Sequence, residues 1–246
     1  MTVPGTFDTS ARELIHAGLQ NLDEARSLFR QLSASGFDAA RCGLLLDALQ
    51  HVCYPDVALR NLVDIVNAQV SQGRALDDIV PDDTAFRQLV AVLGVSDAMG
   101  KLMRFRPDLV QAAATDHCNS HLYNHDQRRA HVLESVGADP NDRMSPTATM
   151  DLADAATALR RTYRNQLAAI IAQDTMSDDP IALQPRISSE LSDLADAALE
   201  GALAIARHEI AGSEHCRFAI IGMGKLGARE LNYVSDVDLR SEERRV

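Results

Sequence analysis

From Thr9 to about Ile210, apolar residues recur three and four positions apart in one segment after another, so nearly all of that span reads as helix. Asn21 with Glu24 three residues on has the spacing of a capping box, and Leu22, Ala25, Leu28, Phe29 and Leu32 follow at helical intervals. Residues 38–53 repeat the pattern with Leu45, Ala48, Leu49 and Val52. Pro55 suits the first turn of the next helix, which ends near Gly73. Residues 82–95 form another helix, a short one runs to Phe105, and Pro107 opens a further one to Ala114. Residues 115–146, with Gly137, Pro140 and Pro146, predict a loop holding one short helix around 127–136. Two long helices then span roughly 147–176 and 187–211. Aromatic residues are only 4% of the chain and Trp is absent, so the core must come from Ala, Leu, Ile and Val, which favours closely packed helices.

The character changes after about residue 211. Arg217 to Gly222 is a short apolar run meeting a glycine-rich turn, as a buried strand would. Asp236-Val-Asp-Leu239 alternates with period two and predicts a second strand. The expected fold is mainly α. A helical domain over 1–211 leads into the start of an α/β domain over 212–239.

Three features of the stretch Phe218–Leu239 converge on phosphate chemistry. Gly222 and Gly224 let the backbone approach a phosphate and direct N–H groups at it. A helix opening after Gly224 aims its positive end at the same place, and Lys225 adds a full charge. Asp236 and Asp238, two apart on the expected strand, project from one face and offer hard oxygen ligands for Mg²⁺. Such carboxylates clamp the metal ions of phosphoryl transfer. Ser235 can bond a phosphate or steady the turn. Gly222-x-Gly224-x-x-Gly227 also fits a dinucleotide-binding fingerprint, but eight residues between Gly227 and Asp236 are too few for a crossover helix. There is no P-loop spacing. Glycine pair, short helix, then Asp-x-Asp is the nucleotidyltransferase order, with dinucleotide binding and a plain structural turn as the other readings.

The run Gly222-Met-Gly-Lys-Leu-Gly-Ala-Arg-Glu-Leu-Asn-Tyr-Val-Ser-Asp-Val-Asp-Leu239 resembles the signature of the bacterial glutamine synthetase adenylyltransferases, which adenylylate and deadenylylate glutamine synthetase. Ala228 stands where many members have Gly. Upstream, Leu93-Gly-Val-Ser-Asp with Leu102-Met-Arg-Phe-Arg-Pro107, then Leu159-Arg-Arg-Thr-Tyr-Arg and Glu190-Leu-Ser-Asp-Leu-Ala-Asp196, are similar to helices that precede the family's catalytic strand. The resemblance covers residues from about 85 to 239 and is closest to the N-terminal of the family's two nucleotidyltransferase domains. It implies removal of AMP from a tyrosine of glutamine synthetase by phosphorolysis, with Mg²⁺ and phosphate and release of ADP, while the other domain adds AMP from ATP. It also implies that Gly222, Gly224 and Ser235 contact phosphate, and that Asp236 and Asp238 bind metal. The implied partners are glutamine synthetase and a PII-type signal protein. A different reading is that the helical 1–211 portion serves as an interaction module without catalysis.

Departures and exclusions bound the rest. After Leu239 the family continues with apolar strand and a third acidic residue, whereas this chain reads Arg240-Ser-Glu-Glu-Arg-Arg-Val246. Residues 240–246 are expected to be a non-native tail, and the chain as given is expected to be inactive. The net charge of -11 repels nucleic-acid phosphates, which argues against nucleic-acid binding. No run approaches the roughly 20 apolar residues of a membrane span, and the N-terminus lacks a secretory pattern, so a cytoplasmic protein is expected. Cys42, Cys53, Cys118 and Cys216 show no CxxC spacing and read as reduced thiols. His117, Cys118, His121 and His125 read as a solvated surface rather than a zinc site. Arg160, Arg161 and Arg164 read as a solvated helix face, with the nucleotide site as a second destination.

Overall fold

A computed structural model of the chain describes residues 9–114 and 123–245. The protein is mainly helical. In chain order the helices are α1 (Ala11–His16), α2 (Leu22–Ala34), α3 (Ala39–Leu49), α4 (Pro55–Ser71), α5 (Asp83–Val95), α6 (Asp97–Met103), α7 (Pro107–Ala114), α8 (His125–Ser135), α9 (Leu152–Thr175) and α10 (Pro180–Glu209). Strand β1 (Cys216–Gly222), the single turn α11 (Gly224–Gly227) and strand β2 (Leu239–Arg245) follow. The chain forms two compact units, residues 1–119 with 171–176 and residues 120–170 with 177–246. Among the described residues no helix is long and apolar enough to cross a membrane.

In the first unit, side-chain caps mark where helices begin. Asp38, Asp82 and Ser96 each accept a backbone N–H of the opening turn of α3, α5 and α6, satisfying donors that no helical carbonyl can reach. Asn21 caps α2 by accepting from the Glu24 N–H, but only half of the expected box forms. Glu24 bonds the Asn21 side-chain amide at 2.9 Å, and the Asn21 backbone N–H goes to Asp56 Oδ1 at 3.2 Å. Helix α5 is the centre of this unit. It packs against α3, α4, α6 and α7. Its run Gln88–Gly94 is buried on every side, as expected of a helix that is apolar all round.

The second unit is built on α8, most of α9, and α10. One apolar cluster gathers Leu133, Val136, Ala155, Ala204 and Ile205, and another gathers Ile170, Ile187, Leu191, Leu194, Leu226 and Leu231. Two buried arginines between the helices are paired with carboxylates, although Arg128 Nε itself has no partner among the described residues. The Arg128 side chain is 1% exposed, donates to Gln166 Oε1 at 2.7 Å, and pairs with Glu190. Arg129 grips both carboxylate oxygens of Glu200 at 2.7 and 2.6 Å and donates to the carbonyls of Pro140 and Asp142.

Three elements differ from the sequence reading, and the first is β1, a strand as expected but with no buried residue, its positions alternating half-buried and exposed. Helix α10 begins at Pro180, seven residues before the expected start. Asp179 caps it by accepting from the Ala182 N–H at 3.0 Å, Pro180 occupies the opening position, and Pro185 is carried inside the helix. The expected strand at Asp236–Leu239 is the largest correction. Residues 235–238 are not strand, and β2 starts at Leu239 and runs through the charged stretch expected to be a tail. The register explains this. β2 pairs antiparallel with β1, Gly222 opposite Leu239 and Cys216 opposite Arg245, so the ladder ends where the acidic pair begins. Ser241 to Arg244 are exposed. An exposed strand needs only backbone pairing, which charged side chains permit where a buried central strand would not.

Candidate phosphate and metal site

The second unit positions the glycine turn. β1 ends at Gly222, and the Met223 N–H donates to the Asp238 carbonyl at 2.9 Å, tying the turn to the acidic segment. Gly224 has φ +53°, a left-handed conformation that favours glycine. A Cβ there would stand 3.0 Å from Asp238 Oδ2, so the missing side chain is what lets that carboxylate lie against the turn. The chain then makes one helical turn, closed by Gly227 N–H to Met223 O at 3.1 Å and Ala228 N–H to Gly224 O at 3.0 Å.

Gly222, Gly224 and Asp238 are thus together. Lys225, Asp236 and Asp238 are exposed. The Ser235 hydroxyl donates to Asn232 Oδ1 at 2.9 Å and accepts the Asn232 N–H at 3.1 Å, and its own N–H reaches the Asn232 carbonyl. Of its two expected roles, this contact supplies the turn-steadying one. Among the described residues, no third carboxylate, histidine or cysteine groups with Asp236 and Asp238 at ligand spacing.

Leu226 and Leu231, 3% and 4% exposed, anchor the motif by joining the apolar cluster on α10. Each buried leucine contributes roughly 2 kcal/mol toward holding a turn too short to be stable by itself. A cavity of about 570 Å³ in this unit is lined by Gly222, Gly227, Phe218, Ile220 and residues of α8 and α10. Its basic residues are His125, Arg143, Arg207 and Arg229, with Asp196 and Glu200 as the acids. Arg160, Arg161 and Arg164 do not line it.

Sequence reasoning missed the polar group beside this cavity. His125 Nδ1 lies 2.8 Å from Asp193 Oδ1, and Arg229 donates to the same oxygen. Burial pushes the Asp196 carboxyl above the usual carboxylate range, against the pull of His125 and Arg229, with the neighbouring Asp193 adding to the rise. The signal was faint. Glu190-Leu-Ser-Asp-Leu-Ala-Asp196 places buried Glu190, Ser192 and Asp193 within one turn, which is unusual on a core-facing stripe. His117, Cys118 and His121 lie outside the described residues, while His125 opens α8 and faces Asp193. Cys42, Cys53 and Cys216 are free thiols.

Residues 86–241 match a family model described as glutamate-ammonia ligase adenylyltransferase. A protein of Bifidobacterium longum (strain DJO10A) is 67% identical over 233 residues, 95% of this chain and 22% of the relative. One of Nocardia farcinica (strain IFM 10152) is 36% identical over 215 residues, covering 83% and 21%, and one of Cutibacterium acnes (strain DSM 16379 / KPA171202) is 31% identical over 228, covering 92% and 22%. All three are named bifunctional glutamine synthetase adenylyltransferase/adenylyl-removing enzyme. The chain therefore spans about a fifth of the length of the curated relatives it matches. No solved structure matches it.

Proposed function

The chain belongs to the glutamate-ammonia ligase adenylyltransferase family, and from that premise we propose that its residues 212–239 open the nucleotidyltransferase domain that removes AMP from glutamine synthetase. The reaction is phosphorolysis of the adenylyl-tyrosine bond, with phosphate consumed and ADP released, and residues 1–211 are the helical domain that precedes it. The observation that carries this reading is the joining of turn and acid: Met223 N–H on the Asp238 carbonyl, and Gly224 leaving room for the Asp238 carboxylate.

The residues fit the chemistry assigned to them. Gly222 and Gly224 expose backbone donors to a phosphate, and Lys225 adds positive charge at the turn. Asp236 and Asp238 offer hard oxygens of the kind Mg²⁺ prefers, and the space beside Gly224 that a Cβ would fill leaves access to Asp238. When bound there, the ion would neutralise charge developing on the phosphate oxygens. Ser235, held by Asn232, sets the direction from which the chain enters Asp236. The same proposal has the chain by itself not turning over, with Asp236 and Asp238 as exposed carboxylates.

Titration of the purified chain with Mg²⁺ and ADP in a calorimeter tests the site. Weak Mg²⁺-dependent binding, lost in Asp238→Ala, is expected. Equal ADP binding with and without Mg²⁺, or unchanged binding in the variant, would remove the site from this part of the chain.

A further inference from the structure

A one-turn helix cannot hold its own shape, because fixing the first turn costs more conformational freedom than its few hydrogen bonds return. The glycine turn and α11 must therefore be held from outside. Leu226 and Leu231 hold them by burial. A polar attachment lies between those two leucines in sequence.

Arg229 has φ +61°, the only non-glycine residue with positive φ among the described residues. That conformation crowds a side chain against its own backbone and is unfavourable for an L-residue. Something must hold it there. Its guanidinium donates to Ser189 Oγ at 3.0 Å and to Asp193 Oδ1, both on α10. The Asp193 side chain is 11% exposed, and a carboxylate so placed needs a cationic partner. His125 is the other group on that oxygen. Two residues beyond Arg229, the buried Leu231 N–H points to Ser192 Oγ at 3.4 Å. The polar residues of α10 at 189, 192 and 193 thus form a socket for the segment that follows the glycine turn.

His125, Asp193 and Asp196 also bring one ligand atom each within 4.8 Å of one another, the spacing of a cation site. The guanidinium already seated on Asp193 opposes a metal ion there, so the cluster is better explained by Arg229 than by an absent cation.

We propose that Arg229 is a positioning residue: its bond to Asp193 locks the strained turn onto α10 and so fixes the glycine backbone and Asp238 relative to a bound phosphate. The last clause rests on the functional reading given above. The lock itself does not. Arg229→Gly removes the guanidinium and also relieves the backbone strain, so loosening of the turn in this variant measures the bond net of that relief. Asp193→Asn removes the charge from the other side with almost no change of shape.

Hydrogen exchange on the purified chain is the direct test. In each variant the amides of residues 225–231 are expected to exchange about tenfold faster, with the amides of α5 unchanged. Arg229→Lys should recover most of the protection. The effects in the double variant should fall well short of additive, since both variants cut the Arg229–Asp193 link. Wild-type exchange in both Arg229→Gly and Asp193→Asn, additive effects in the double variant, or loss of protection throughout α10 in both single variants would overturn the lock. The last result would mean that the pair serves folding in general. A parallel titration with inorganic phosphate and Mg²⁺ keeps the two ideas apart. About tenfold weaker binding in Arg229→Gly, recovered by Lys, is expected if the lock serves the phosphate site. No binding even to the wild-type chain would sink the functional reading and leave the exchange result to decide the lock.

Discussion

A Cβ on Gly227 would stand 2.6 Å from the Gly222 carbonyl oxygen, a backbone atom that cannot swing away. Gly227→Ala therefore forces the turn apart, and urea unfolding should show a loss of about 1–3 kcal/mol. Asp196 argues in the other direction. Its raised folded-state carboxyl means that the native chain binds the proton more tightly than the unfolded chain. Stability then falls as pH climbs from the unfolded value of about 3.9 through the higher folded one. Asp196→Asn is expected to melt at a higher temperature than wild type near pH 7 (about neutral), and the gain should vanish near pH 3, roughly where both states are protonated. A gain of equal size at both pH values would contradict the burial cause. These residues differ in how far the sequence exposes them. The glycines stand in a short run whose spacing states their purpose. Arg229 and Asp193 lie 36 positions apart, and His125 and Asp193 lie 68 apart, with no periodicity to link them.

Among the elements, α10 carries the most. It supplies Glu190 to Arg128, Asp193 to Arg229 and His125, and Leu191 and Leu194 to the cluster around Leu226 and Leu231. Glu190→Ala would leave the Arg128 guanidinium buried without its carboxylate. Chemical denaturation should register a loss of about 3–5 kcal/mol, far above that of an exposed pair such as Arg26–Asp23. Leu231→Ala should cost about 2–4 kcal/mol in the same experiment, more than side-chain area alone gives, because a cavity remains beside Ile187 and Leu191. The helices were legible because each shows an apolar stripe and most begin at a capping side chain. Two features were not. Pro185 masked the start of α10, although Asp179 and Pro180 ahead of it form a sound helix opening. The second strand was sought at Asp236–Leu239 because acidic and apolar residues alternate there. The antiparallel register instead uses up β1 at Gly222, leaving the acidic pair beyond the ladder.

At the scale of the whole molecule, a mainly helical chain of 246 residues presents one turn of chemistry at the end of a two-stranded sheet. The proposed account is that this turn serves removal of AMP rather than its addition, a choice that rests on the resemblance of Gly222–Leu239 to the N-terminal of the family's two nucleotidyltransferase domains. The measurement that separates the two is made in a full-length relative carrying residues 86–241 of this chain in place of its own. AMP release from adenylylated glutamine synthetase and AMP addition to the unmodified enzyme are followed in the wild type and in Asp236→Ala and Asp238→Ala. The account predicts that release falls by at least about a hundredfold, nearly 3 kcal/mol of transition-state stabilisation, while addition stays near wild type. Loss of addition with release intact would contradict it.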